Sequence, residues 1–204
     1  MNKTRKQQEL DFKKSLIINA AKTIFFKNGF ENSTIEDIAK EANYSKGSIY
    51  TYFKSKNEIC FSIVNNYYQR IADMSAQISR ENLSGLEKLL SFKNRFLIEF
   101  TQQDEFCQIF DSFKYHRGTC MKEATEISKN IEYNRQISLY LESFIDSGVS
   151  DNSIKAEVRP KILANALWGL EHSFVSELRY SEVNGYNYLF NLIIESIKNI
   201  EEKE

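Results

Sequence analysis

The segment Ser45-Lys46-Gly47-Ser48, running on into Ile49-Tyr50-Thr51-Tyr52-Phe53, gathers side chains suited to recognition chemistry. On a helix, Ile49 and Phe53 lie four apart and face inward, which leaves Lys46, Ser48, Tyr50 and Tyr52 to face out. Lys46 offers an ammonium to guanine O6/N7 or to a phosphate, and Tyr50 offers a hydroxyl on an apolar ring. Gly47 has no side chain, so a phosphate or a base edge can approach the backbone closely there. Lys54 and Lys56 follow at the start of the next helix, where free backbone N–H groups also favour a phosphate. Nothing comparable points to covalent chemistry. There is no Gly-rich phosphate loop, no HExxH or GxSxG, and no carboxylate pair forced together by its spacing. No enzyme, catalytic residue, cofactor or metal is therefore expected. His116 and His172 have no acidic or cysteine partner at metal spacing and read first as structural histidines.

Positioning the polar segment takes a set of short helices. Leu16, Ile17, Ala20, Ala21, Ile24 and Phe25 recur at three- and four-residue spacing, the stripe of an amphipathic helix. Gly29 after Asn28 supplies the stop, with Phe30 folding back beyond it. Ser33-Thr34-Ile35-Glu36 reads as a capping box opening a second helix that buries Ile35, Ile38, Ala39 and Ala42. Asn43 falls where the chain must turn, and asparagine tolerates positive φ. Ser45 caps a third helix to about Thr51, and Ser55-Lys56-Asn57-Glu58 opens a fourth from Lys56 to about Ile78. Further helical patterns lie near 84–102, 104–116, 121–147, 159–180 and 185–201. A Gly148 stop, an Asp151-Asn152-Ser153 turn and Pro160 at a helix start punctuate them. The expected fold is all-α with about nine helices: a three-helix helix-turn-helix head at 1–55 and a larger helical body at 56–204.

Composition supports this reading. One Pro and seven Gly in 204 residues leave few turns, which argues against an all-β sandwich or barrel. A hydrophobic share of 42%, with 15 Phe and 11 Tyr, is enough to close a core. The net charge of −1 hides an asymmetry: residues 1–66 carry 11 Lys/Arg against 7 Asp/Glu, while residues 67–204 carry 16 against 21. A basic head on an acidic body suits a polyanion held at one end only. Cys60, Cys107 and Cys120 form no CxxC pair and imply a reducing compartment. Met1–Lys14 lacks the apolar stretch of a signal peptide, and no run nears the roughly 18 apolar residues of a membrane span. A cytoplasmic protein is expected, with no membrane partner.

The stretch AAKTIFFKNGFENSTIEDIAKEANYSKGSIYTYFKSKNEI resembles the DNA-binding head of the TetR (tetracycline-repressor) family of bacterial transcription regulators. The matching positions include Ala21, Phe25, Gly29, Phe30, Thr34, Ile38, Ala39, Ala42, Ser45-Lys46-Gly47-Ser48, Tyr50, Tyr52-Phe53, Lys56 and Glu58, spread over roughly residues 12–62. Asn43 departs from the pattern, since the family more often has Gly there. The resemblance implies that the third helix enters the major groove, with Ser45, Lys46, Gly47, Ser48, Tyr50 and Tyr52 toward DNA. It also implies that Thr34 and Lys56 hold phosphates, and that Lys3, Arg5 and Lys6 add an N-terminal arm.

For the body, the resemblance implies a homodimer and an effector pocket. The partner helix would pack on the small-residue stripe Ala166, Gly169 and Ser173, and on Leu189, Ile193 and Ile197 of the last helix. Aromatic density suggests the pocket lining: Phe106, Phe110, Phe113, His116, Tyr140, Phe144, Trp168 and His172. A small, partly apolar effector would tilt the fourth helix and so change the separation of two heads on a palindromic double-stranded operator. The implied function is a dimeric DNA-binding regulator, foremost a repressor released by a small-molecule inducer. The alternative is a nucleoid or division-associated DNA-binding protein of the same fold that needs no inducer.

Overall fold

The computed structural model describes residues 4–101, 124–155, 157–177 and 183–198, and among these it is all-α apart from one isolated bridge between Ile154 and Lys198. The helices are α1 (Arg5–Asn28), α2 (Ile35–Glu41), α3 (Lys46–Tyr52), α4 (Lys56–Ser79), α5 (Gly85–Thr101), α6 (Ala124–Ser150), α7 (Pro160–Glu177) and α8 (Val183–Ile197). Eight are thus described, and the helix expected at 104–116 lies outside the described residues. Backbone packing separates two compact units. The first runs through Tyr67 and includes the start of α6 up to Asn130; the second begins at Tyr68 and takes in the rest. This division of the backbone packing falls inside α4.

In the first unit, α1 starts well before its apolar stripe. The Thr4 hydroxyl accepts from the Gln7 N–H at 3.3 Å. The polar turns that follow hold by i,i+4 pairs, Lys13 to Glu9 at 2.6 Å and Gln7 to Asp11 at 2.8 Å. Arg5 and Lys6, expected as an arm, therefore stand in the first turn of α1; Lys3 lies outside the described residues. The stripe Ile17, Ala20, Ala21, Ile24 and Phe25 is buried. Gly29 closes the helix at φ +76°, with its N–H on the Phe25 carbonyl at 2.9 Å, and Phe30 returns edge-on to Phe25, ring centroids 5.2 Å apart.

The box opening α2 sits one residue later than the spacing suggests. Thr34 is the N-cap: its hydroxyl receives the Asp37 N–H at 3.2 Å, and the Asp37 carboxylate receives the Thr34 N–H at 3.0 Å. The Thr34 hydroxyl, which also donates to that carboxylate, and then the Thr34 N–H hold the Asp37 carboxyl below its ordinary value. Ser33 is instead buried, its hydroxyl donating to the Gly29 carbonyl at 2.6 Å. Asn43 carries the turn at φ +56°. Asn65 of α4 donates to both the carbonyl and the carboxylate of Glu126, each at 2.9 Å, which ties the start of α6 to this unit.

The second unit closes through long-range contacts. Gly148 does not end α6, which runs on to Ser150; it allows a close approach. A Cβ built on Gly85 would stand 2.0 Å from the Gly148 nitrogen, so α5 and α6 meet backbone to backbone. The first N–H groups of α5 are capped from the loop after α6: Gly85 donates to Asp151 at 2.8 Å and Leu86 to Ser153 at 3.1 Å. Asn152 takes that turn at φ +62°, and Pro160 opens α7 as expected. The core holds Phe92, Phe96, Phe144, Leu167, Tyr186 and Phe190. Among them Glu171 of α7 is fully buried, receives the Tyr186 hydroxyl on Oε1, and has no partner for Oε2 among the described residues. Burial pushes its carboxyl up to about 8, against the opposing pull of the Tyr186 bond and of nearby Lys93. Lys93 is itself buried, donating to Asn191 at 3.0 Å over the face of Phe190.

Candidate nucleic-acid interface

α3 is short, and its orientation comes from its two ends and its inner face. Ser45 caps it, accepting the Ser48 N–H at 3.0 Å, and the two hydroxyls share a further bond of 2.8 Å. Ile49 and Phe53 are buried at 0% and 2% exposure, with the Lys14 ammonium 5.2 Å from the Phe53 ring centroid. Lys46, Gly47, Tyr50 and Thr51 are left exposed along the opposite face, Tyr50 at 49%. A Cβ on Gly47 would meet only the Ser45 hydroxyl, at 3.8 Å, so no packing within the chain calls for glycine there. The room it leaves faces outward.

Three expected contact residues are already engaged. Tyr52 is half-buried edge-on against Tyr44, ring centroids 6.4 Å apart. The Thr34 hydroxyl also donates to the Asp37 carboxylate, at 2.6 Å, within its capping box. Lys56 points its ammonium into the turn after α1, donating to the carbonyls of Phe30 (2.6 Å), Ser33 (2.9 Å) and Glu31 (3.3 Å), and lies over the Phe30 ring at 4.3 Å. Partial burial holds its pKa below the usual lysine value. Two features of this face escape the sequence pattern. Thr51 is exposed where Tyr52 is not, because Tyr44 claims the Tyr52 ring. Glu36 of α2 forms an ion pair with Lys46 across the turn, ten residues away, which no helical spacing announces. The pair lowers the Glu36 pKa and raises that of Lys46.

In the body, Phe106, Phe110, Phe113 and His116 lie outside the described residues, as do the side chains of His172 and Ser173. Phe144 is core; Trp168 donates to Asn134 at 3.0 Å and stands edge-on to Tyr68 at 6.1 Å. Trp168 and Gly169 border an open groove between α6 and α7, with Ser138, Leu139 and Asn165. Tyr140 lies half-buried against Phe144. Ala166, Gly169 and Leu189 are exposed, Ile193 is half-buried, and Ile197 is buried within the chain. Among the described residues no His/Cys/Asp/Glu group could hold a metal ion, and no helix is long and apolar enough to cross a membrane.

A tight α2–turn–α3 unit, apolar inside and polar on one open face, defines a helix-turn-helix protein with an all-α body. Residues 17–63 match the family described as bacterial regulatory proteins, tetR family. Residues 17–63 thus carry that family's sequence signature, and the chain has the fold of solved TetR-family regulators. It is 40% identical over 58 residues to the uncharacterized HTH-type transcriptional regulator YuxN of Bacillus subtilis, covering 28% of this chain and 20% of that protein. It is 40% identical over 125 residues to the biofilm operon icaADBC HTH-type negative transcriptional regulator IcaR of Staphylococcus aureus (strain Newman), covering 58% of this chain and 64% of that one. The chain thus spans less than two thirds of either relative. A TetR-family regulator from Agrobacterium tumefaciens superposes with a TM-score of 0.74 at 15% identity, over 93% of this chain and 100% of that chain.

Proposed function

We propose that this protein is a homodimeric, sequence-specific DNA-binding regulator that represses from a palindromic operator and is released by a small, partly apolar effector. The observation that carries the reading is the open face of α3. Its one cation, a glycine with unused space, and a half-exposed tyrosine stand together on a helix whose other side is locked into a core. An α-helix fits the major groove, about 12 Å wide, and Lys46 there reaches guanine O6/N7 while Tyr50 adds a hydroxyl and ring contact. Ser45, Ser48 and Thr34 border this face and approach the sugar-phosphate backbone. Residues 1–55 would read DNA, and residues 56–204 would bind effector and partner.

Exposed Ile162, Tyr188, Leu189 and Leu192, with small Ala166 and Gly169, support dimerisation through α7 and α8. Two heads would then dock on half-sites about 34–36 Å apart. Effector binding lowers affinity by favouring dimers whose heads no longer match that spacing. IcaR is named a negative regulator, and its similarity extends over more residues than a head contains, which favours repression.

Selection of bound duplexes from a random pool tests the reading, with a Lys46→Ala/Tyr50→Ala protein as control. One palindrome should be enriched with the native chain and lost with the control, while both proteins keep their helical content. Recovery of unrelated duplexes, all released as salt rises, would leave phosphate attraction alone and replace the repressor with a non-specific DNA-binding protein.

A further inference from the structure

Lys46 is the single charged residue of α3, and in the free protein its ammonium is held by the carboxylate of Glu36, with both side chains half exposed. Glu36 is well placed for this. It sits in the first turn of α2, where unpaired N–H groups favour a carboxylate, and the Thr34–Asp37 box fixes that turn. A lysine on a flexible four-carbon stem would otherwise sample many directions, including that of the nearest phosphate. We propose that Glu36 is a positioning residue for DNA discrimination: it holds the Lys46 ammonium over the reading face and away from the phosphate backbone. The inference rests on the DNA-binding reading above.

The chemistry follows from the ammonium's three donors. One bond to Glu36 leaves two N–H groups free, enough for O6 and N7 of one guanine without breaking the pair. A phosphate lies off to the side of the groove floor, so Lys46 reaches it only by leaving Glu36. That step strands a carboxylate beside a polyanion. On a matched sequence the pair stays intact, and on any other sequence Lys46 either makes no contact or exposes Glu36 to repulsion. Removing the Glu36 charge frees Lys46 to neutralise a phosphate on every sequence.

The test measures binding constants against salt for the native chain, Glu36→Gln, Lys46→Met and the double variant. Each is run on the palindrome recovered by duplex selection and on a scrambled duplex of equal length. Glu36→Gln should bind the scrambled duplex roughly three- to tenfold tighter at ~0.1 M salt, with a log–log salt slope steeper by about 0.9, one added phosphate contact. Binding to the palindrome should gain less, so discrimination falls. In the Lys46→Met background, Glu36→Gln should leave the slope unchanged. The inference is overturned if Glu36→Gln tightens both duplexes equally, or if its effect persists without Lys46; Glu36 would then be only a repelling charge. Loss of affinity for both duplexes together with a lower melting temperature would also overturn it, and Glu36→Ala repeats the comparison should Gln perturb the fold. A native chain that binds neither duplex would instead refute the DNA-binding reading.

Discussion

The first unit and the second are both helical, yet they are held by different kinds of contact. Around α2 and α3, most structure is written by neighbours in sequence: Thr34 with Asp37, Ser45 with Ser48, Glu58 with Lys54 and Ser55, all three or four residues apart. In the second unit the decisive contacts join distant segments: Gly85 with Gly148, Lys93 with Asn191, Glu171 with Tyr186. A cap costs or contributes about 1 kcal/mol and can be altered alone. A backbone crossing or a buried acid cannot, because several helices share it.

The largest expected effect follows from this. Gly85→Ala places a Cβ 2.0 Å from the Gly148 nitrogen and 2.3 Å from the Phe144 carbonyl oxygen, so the crossing must open. We expect a loss of several kcal/mol in urea unfolding. Gly47→Ala, where 3.8 Å is available, should leave stability nearly unchanged and weaken operator binding only. Equal stability losses at the two sites would erase the contrast between the units.

Next comes Glu171. Its carboxyl titrates near 8 in the folded chain and near 4.5 when unfolded, so the folded protein keeps a proton that the unfolded chain releases. Stability is therefore highest below about pH 4.5 as far as this group is concerned, falls as pH rises through 8, and is flat beyond. Glu171→Gln should remove that slope and raise stability at alkaline pH by up to a few kcal/mol, seen in urea midpoints taken from pH 5 to 9. An unchanged slope would mean that Lys93 compensates the charge fully.

The smallest effect distinguishes two roles for one lysine. Lys56→Met removes three carbonyl bonds and a ring contact, and should cost about 1–2 kcal/mol in melting experiments. The salt slope of operator binding should stay the same. A slope shallower by about 0.9 would show that Lys56 leaves the turn for a phosphate, and the head would then rearrange on docking.

The same contrast decides what could be read from the sequence. Local rules located α2, α3, α4, the Gly29 stop and the Asn43 turn, because each depends on residues a few positions apart. They slipped by one at Ser33, where two adjacent hydroxyls could each cap and burial chose between them. They ended α6 early at Gly148, since a glycine needed for close approach looks like a glycine needed for a stop. They missed the Glu36–Lys46 pair, which crosses the turn, and the Tyr44–Tyr52 contact, which joins the residues before and at the end of α3. That Lys46 and Tyr50 stand on the outer side of α3 was legible, whereas the pairing of Lys46 and the turning of Tyr52 onto Tyr44 were not.

The Gly85–Gly148 crossing has a mechanical side as well. With no side chain between the two backbones, and with Asp151 and Ser153 fastening the first N–H groups of α5, these helices cannot be pushed closer or drawn apart at that point. A tilt is the one motion that this crossing by itself does not block. The 17 residues of α5 make a lever about 25 Å long, so a tilt of about 10° at the glycines sweeps its far end by about 4 Å. A small change in crossing angle at this fulcrum would be magnified at the opposite end, where the Arg70–Glu99 ion pair opposes it.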